Sequence, residues 1–165
     1  DLMIHDLDII LNIVNSPVKS VEAAGVGVYG DKEDIANARI HFRNGCIANL
    51  TASRVTPVRK RKIRVFQKNA YISIDYIEQE VELFRRVRVP NPEPGMPNIS
   101  IVRTKEKIPK EEPLKLELTH FLECVAQGRE PLVKGEHGRD ALELAVEISE
   151  QVKRRVQAWL GGGGG

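Results

Sequence analysis

Apolar residues near the start of the chain recur at spacings of three and four, which is the period of an amphipathic helix. They are Met3, Ile4, Leu7, Ile10, Leu11 and Val14, and the helix-ending residues Asn15-Ser16-Pro17 follow them. The same spacing returns late in the chain in two stripes, and Gly128 closes the first of them. These stripes are Leu114, Leu118, Phe121, Leu122 and Val125, then Ala141, Leu142, Ala145, Ile148, Val152 and Val156. The pattern predicts one helix at the beginning and two at the end.

Between these helices the apolar period shortens to two, which is typical of strands. Residues 35–42 and 46–54 alternate apolar and polar on either side of Asn44-Gly45, a strong hairpin signal. Further strands are predicted over residues 18–28, 62–67, 71–75, 79–89 and 99–107, and Gly25 and Gly27 in the first of these indicate a bulge or close packing. This order predicts an α+β fold, with a mainly antiparallel open sheet and helices packed on one of its faces.

The hairpin strands carry polar side chains on the face that the helices do not cover. They are Asn37, Arg39, His41, Asn49, Thr51 and Ser53. Antiparallel sheets tolerate water on one side. From the residues alone, this open face is expected to be solvated.

Composition narrows the class of protein. The chain has 165 residues, of which 41% are hydrophobic and 29% charged, enough for one domain with a core. We assign residues 1–160 to that domain and residues 161–165 to a flexible glycine tail. The 25 basic and 23 acidic residues nearly balance, and no apolar run is long enough to span a membrane. We therefore expect no nucleic-acid or membrane partner.

The two cysteines, Cys46 and Cys124, lie far apart in the sequence and lack metal-ligand spacing. The expected state is two buried free thiols in a cytoplasmic protein, because disulfides are rare in that compartment.

The first helix carries candidate chemistry. Asp1 and His5 are four residues apart and share one helix face, and Asp8 lies near it. A histidine flanked by carboxylates acts as a general acid or base near neutral pH. The alternative is a solvated first turn, where the helix dipole favours Asp. We predict no metal site, because the set lacks a second His or Cys; a metal-dependent hydrolase stays a third hypothesis.

A cluster of basic residues follows the hairpin, with Arg54 and Arg59 at its start. Guanidinium groups at these positions are suited to bind a pyrophosphate group. The competing interpretation is a solvated edge whose positive charges prevent edge-to-edge pairing. No Gly-x-Gly-x-x-Gly motif lies between a strand and a helix, so the chain has no predicted cofactor-binding residues.

Several stretches together resemble a known family. They are the spaced residues Asp1-x-x-x-His5-x-x-Asp8 and the segments DIANARIHFRNGCIANLTASR, LTHFLECVAQGREPLV and GRDALELAVEISEQV. The chain resembles the C-terminal domain of the Gfo/Idh/MocA oxidoreductases. Its segment SRVTPVRKRKIRVFQKNAYISIDY is similar to members that act on nucleotide-linked amino sugars.

The resemblance implies a two-domain enzyme that oxidises a sugar or nucleotide-sugar hydroxyl by hydride transfer. An N-terminal Rossmann domain, absent from this chain, would hold NAD or NADP and supply a lysine, so this fragment alone would bind no cofactor. The C-terminal domain would shape the sugar pocket and build a homo-oligomer through its open sheet face. In this interpretation His5 takes the hydroxyl proton or orients the sugar and Asp1 assists it, while Asp8, Arg54 and Arg59 belong to the substrate site. The alternative is a non-catalytic, sheet-mediated association module.

Overall fold

The computed structural model describes residues 3–29, 33–57, 60–90 and 97–161, with side chains up to residue 158. The chain forms two compact units, which we call the first unit (residues 1–57 and 121–165) and the second unit (residues 58–120). The assignment of residues 1–160 to one domain stays a prediction from the sequence. Among the residues described, no helix combines the length and the apolar character needed to cross a membrane.

The described residues form ten elements, in this order along the chain. They are α1 (Ile4–Val14), β1 (Val18–Val26), β2 (Ile35–Phe42), β3 (Ile47–Ser53), β4 (Lys62–Gln67), β5 (Ala70–Asp75), β6 (Glu80–Arg88), β7 (Ile99–Lys107), α2 (Pro113–Gln127) and α3 (Gly135–Gly161).

Left-handed backbone marks three of the boundaries. Asn15 ends α1 with φ of 45° and donates its N–H to the Leu11 carbonyl oxygen at 3.0 Å. Gly128 ends α2 with φ of 62°, and Gly45 turns the β2–β3 hairpin with φ of 87°. Asn and Gly adopt this conformation at low cost, which is why these residues punctuate the sequence where they do.

The first unit is a three-stranded antiparallel sheet, in the order β1-β2-β3, with α1 and α3 packed on one face. The apolar face of the hairpin strands meets the apolar stripes of the two helices there. The fully or almost fully buried members of this core are Leu7, Ala23, Ala38, Ile40, Phe42, Leu50, Ala141, Leu144, Ile148 and Val152. Burial of this apolar surface is what holds the helices to the sheet.

Helix α3 lies unusually close to strand β1. A Cβ built on Gly25 would lie 2.5 Å from Cγ1 of Val152 and 2.9 Å from the carbonyl oxygen of Ile35. The Gln151 side chain also bonds the backbone of this edge strand, accepting from Ala23 N–H and donating to Val21 O, both at 3.0 Å. The close packing predicted for this glycine strand is therefore present at Gly25.

The second unit is a four-stranded antiparallel meander, β4-β5-β6-β7. One row across its strands is aromatic: the Phe66 and Tyr71 rings stack at 4.9 Å, and Tyr71 and Phe84 lie 5.3 Å apart. The Arg103 guanidinium extends the row over the Phe84 ring at 5.6 Å. Such cross-strand pairs stabilise a sheet without needing a thick core.

The predicted α+β class, with open antiparallel sheets, is confirmed. The strands divide between two sheets rather than continuing in one. On α3, Leu142 is 55% exposed and Leu144 is buried in its place, because the positions 141, 144, 148 and 152 define the stripe that faces the sheet. The prediction that both thiols are buried is right for Cys124 and wrong for Cys46, which follows Gly45 in the exposed hairpin turn.

The apolar stripe predicted for α2 forms on a helix, but it does not enter the core. Leu114, Leu118, Phe121, Leu122 and Val125 are each more than half exposed, and Cys124 is the buried residue of this helix.

Candidate functional site

A cavity of about 390 Å³ lies in the first unit, at the end of the sheet opposite the β2–β3 hairpin turn. This volume is within the range of small-molecule sites. Helices α1 and α3 supply an apolar wall, and the chain before β2 and after β3 supplies charged groups. The lining residues are Met3, Ile4, Leu7, Glu33, Asp34, Ala36, Ala52, Arg54, Ala145, Ile148, Ser149 and Val152.

Asp34 is the buried polar centre of this cavity wall, with 3% of its surface exposed. Its Oδ2 accepts hydrogen bonds from the backbone N–H groups of Val28 at 2.6 Å and Tyr29 at 2.7 Å. Its Oδ1 accepts from Nε of Arg54. Both carboxylate oxygens are thus satisfied, which a buried charge requires.

These hydrogen bonds keep Asp34 ionised. The amides of Tyr29 and Val28 and the Arg54 guanidinium lower the pKa of the Asp34 carboxyl to about 2, although burial by itself would raise it. Donors directed at a carboxylate favour its charged form. Asp34 is therefore a fixed negative charge at neutral pH and has no proton to give.

Arg54 stands at the border between this buried carboxylate and the cavity. Its side chain is 50% exposed, while that of Asp34 is fully buried. Its backbone N–H also bonds the Asp34 carbonyl oxygen at 3.0 Å. Since Nε is used by Asp34, the two terminal nitrogens are the donors left to meet a ligand.

The histidine singled out by the sequence does not line this cavity. His5 is exposed on the first turn of α1, next to Ile4, which does line the cavity. Asp8 is not a lining residue either, and its Oδ1 accepts a hydrogen bond from Nδ2 of Asn12 at 3.1 Å. Asp1 and Arg59 lie outside the described residues. Of the five predicted site residues, the structure places Arg54 at the cavity.

Comparisons with known proteins identify the family. Residues 1–73 match the family model described as GFO/IDH/MocA C-terminal domain. The first 73 residues of this chain thus correspond to a GFO/IDH/MocA C-terminal domain.

Named relatives agree with this family. Over 157 residues, or 95% of this chain and 49% of the relative, the sequence is 32% identical to a UDP-N-acetylglucosamine 3-dehydrogenase of Acidithiobacillus ferrooxidans. A solved structure of that name superposes with a TM-score of 0.83 at 30% identity, covering 94% of this chain and 47% of the other. A levoglucosan dehydrogenase in complex with NADH shares the fold, with a TM-score of 0.72 at 14% identity over 94% of this chain and 48% of the other. The chain spans about half the length of these relatives.

The described residues form no parallel βαβ unit. Dinucleotides bind where a glycine-rich turn joins a strand to a helix in a parallel βαβ unit. The described strands pair antiparallel in both sheets. The Gly-x-Gly-x-x-Gly pattern at residues 25–30 begins in β1, and the next element along the chain is the antiparallel strand β2, not a helix. The described residues also include no group of three or more His, Cys, Asp or Glu placed to hold a metal ion.

Asp34, Glu33 and Ser149 are cavity residues that the sequence analysis missed. A signal for Asp34 was present in the hairpin register. The turn at Asn44-Gly45 pairs Ile40 with Ala48 and Ile35 with Ser53. One step further along the same register, Asp34 stands opposite Arg54, so an acid–base pair at the end of the hairpin follows from the strand alternation.

Proposed function

We propose that this chain is the C-terminal, substrate-binding part of an NAD(P)-dependent oxidoreductase that oxidises a hydroxyl of a sugar, specifically a nucleotide-linked amino sugar. The observation that carries the proposal is the similarity, over 95% of the chain, to a UDP-N-acetylglucosamine 3-dehydrogenase. The cavity of the first unit supports it, because its size and its mixture of apolar and charged walls suit a small polar ligand.

In the proposed reaction, the carbinol carbon of the sugar loses a hydride and its oxygen loses a proton, which leaves a ketone. The nicotinamide supplies the hydride acceptor when bound. We place that cofactor on the part of the protein that corresponds to the remaining half of the relatives' length.

We assign the proton-accepting or sugar-orienting role to His5, with Asp1 as its helper. The support is the resemblance of the first helix to the family pattern and the exposure of His5 on the first turn of α1. Asp8 and Arg59 stay proposed members of the substrate site, and Arg54 is the member at the cavity wall.

Replacing His5 tests the proposal. In the intact protein, His5→Ala should lower kcat for UDP-N-acetylglucosamine oxidation by about 100-fold or more, the usual contribution of a general acid or base. NADH or NADPH formation followed by absorbance measures this rate. His41→Ala, on the opposite, open face of the sheet, is the matched control and should retain wild-type turnover.

Near-normal turnover of the His5→Ala protein would remove the catalytic assignment. If no dehydrogenase activity is found with any sugar nucleotide, the second candidate, a non-catalytic association module, is favoured by the uncovered polar face of β2 and β3.

We also propose that the protein assembles with copies of itself through this open face. The supporting observation is that its polar groups already bond one another: Thr51 Oγ1 donates to Asn37 Oδ1, and Arg39 Nε donates to Asn49 Oδ1, each at 2.7 Å. Because these donors already have acceptors within the face, a second copy of the protein can cover the face without leaving them buried and unsatisfied.

A further inference from the structure

The charged groups at the cavity decide which part of a substrate it favours. Its described lining contains two carboxylates, Glu33 and Asp34, and one guanidinium, Arg54. The Asp34 charge is cancelled by Arg54, with which it forms an ion pair. The Glu33 carboxylate is then the uncompensated charge among these lining groups. Their net charge is therefore negative and opposes the entry of an anionic group of a ligand.

The remaining features suit an uncharged, hydroxyl-rich ring. The terminal nitrogens of Arg54 donate hydrogen bonds, the Glu33 carboxylate accepts them, and the Ser149 hydroxyl does both. Met3, Ile4 and Ile148 add an apolar surface on which the C–H face of a pyranose can lie. Donor, acceptor and apolar wall together match the three kinds of surface that a sugar presents.

The placement of Arg54 depends on Asp34. An exposed arginine side chain has many rotamers, and holding it in one costs entropy. Here a carboxylate with no solvent exposure of its side chain, itself held by two backbone N–H groups, binds Nε of Arg54. The buried group thus fixes the direction of the exposed one before any ligand arrives.

We propose that this cavity binds the uncharged sugar ring of the substrate through Arg54, and that Asp34 is the positioning residue that holds Arg54 in its binding orientation. The proposal rests on the proposed function, and it replaces the pyrophosphate contact that the sequence suggested for Arg54.

Two ligands separate the sugar from the phosphate. In the intact protein, calorimetry should give an Arg54→Met variant a dissociation constant for UDP-N-acetylglucosamine about 10-fold above that of the wild type, as expected for loss of a hydrogen-bonded ring contact. The dissociation constant for UDP, which has the diphosphate and lacks the sugar, should stay within about twofold. If UDP binding weakens equally, Arg54 binds the diphosphate and the proposal is wrong.

The positioning role has its own readouts. Asp34→Asn should raise KM for the sugar nucleotide more than it lowers kcat, and should add little to the effect of Arg54→Met in the double variant. In ¹⁵N NMR of the wild type, the Arg54 Nε–H should give a slowly exchanging signal that Asp34→Asn abolishes. Independent, additive effects of the two substitutions would contradict the positioning role.

Asp75→Asn is the matched control. Asp75 likewise accepts two backbone N–H groups, from Ile77 and Glu78, and pairs with one cation, Lys62, but it belongs to the second unit and does not line the cavity. It should leave both dissociation constants unchanged. Wild-type protein that binds neither ligand would refute the proposed function and this inference with it. Wild-type binding of UDP-N-acetylglucosamine that both variants retain would refute this inference alone.

Discussion

At the scale of single residues, Asp34 shows how one carboxylate joins three stretches of chain. It binds the backbone that follows β1 and the arginine that follows β3, and it directly precedes β2. These partners favour its ionised form, so the folded protein holds this proton far less tightly than the unfolded chain does. Acid stability therefore depends on this residue.

The sign of that dependence follows from the lowered pKa. The pKa of Asp34 falls from an ordinary 3.8 to about 2 on folding, so its stabilising contribution is complete above about pH 4 and is lost as the pH falls towards 2. Asp34→Asn should lower the free energy of unfolding at pH 6, and the difference from wild type should shrink below pH 4. Urea unfolding followed by circular dichroism across this range measures it.

Arg54→Met provides an internal comparison for this prediction. The backbone amides of Tyr29 and Val28 are the largest causes of the lowered pKa, ahead of Arg54. Removing the guanidinium should therefore leave most of the pH dependence in place. A difference between wild type and Asp34→Asn that is constant from pH 6 to pH 2.5 would contradict the role given to this carboxylate.

At the scale of elements, the distance between α3 and β1 depends on the missing side chain of Gly25. Gly25→Ala places a methyl group 2.5 Å from Val152 Cγ1 and 2.9 Å from the Ile35 carbonyl oxygen, so helix or strand must move. Overpacking of this kind costs about 1–3 kcal/mol of unfolding free energy. Urea unfolding of the variant should show that loss.

Two further variants make this test specific. Val152→Ala removes the nearer obstacle, so the double variant should be less destabilised than the two single effects added together. Gly138→Ala, in the first part of α3 with no atom within 4 Å of the added Cβ, should be neutral or stabilising. Equal losses at both glycines would mean that backbone freedom, and not the approach of α3, explains Gly25.

The elements also show what the sequence could predict. Helices α1, α2 and α3 and the hairpin of β2 and β3 follow from apolar periodicity and from Asn15, Gly45 and Gly128, because these signals are local. The division of the strands between two sheets does not follow from local signals, since it depends on which strands pair with one another. Of the residues that line the candidate site, the sequence analysis named Arg54, and its role stays a prediction. Ser149 contributes from the far end of the sequence and carries no local signal.

At the scale of the whole molecule, the open face of β2 and β3 makes the proposed self-association testable. Thr51→Arg would bring an unpaired charge to the middle of that face, and burying it costs more than a close contact between copies returns. Analytical ultracentrifugation should find this variant in a smaller assembly than wild type.

Thr56→Arg is the control for the same change. Thr56 is exposed as well, but it lies beyond the end of β3 and bonds Ser53 Oγ at 2.6 Å. The control should sediment as wild type does. Unchanged sedimentation of Thr51→Arg, or an equal shift in both variants, would place the contact between copies elsewhere.

The exposed thiol of Cys46 in the hairpin turn is a site for chemical labelling. Cys46 is exposed at one end of the first sheet, while Cys124 is 2% exposed and its Sγ lies 3.7 Å from the Glu130 carbonyl oxygen. Accessible cysteine thiolates attack the electrophilic ring of maleimide dyes. A dye on Cys46 therefore lies at the opposite end of the sheet from Asp34 and Arg54, where it can follow a ligand titration optically without touching the cavity residues.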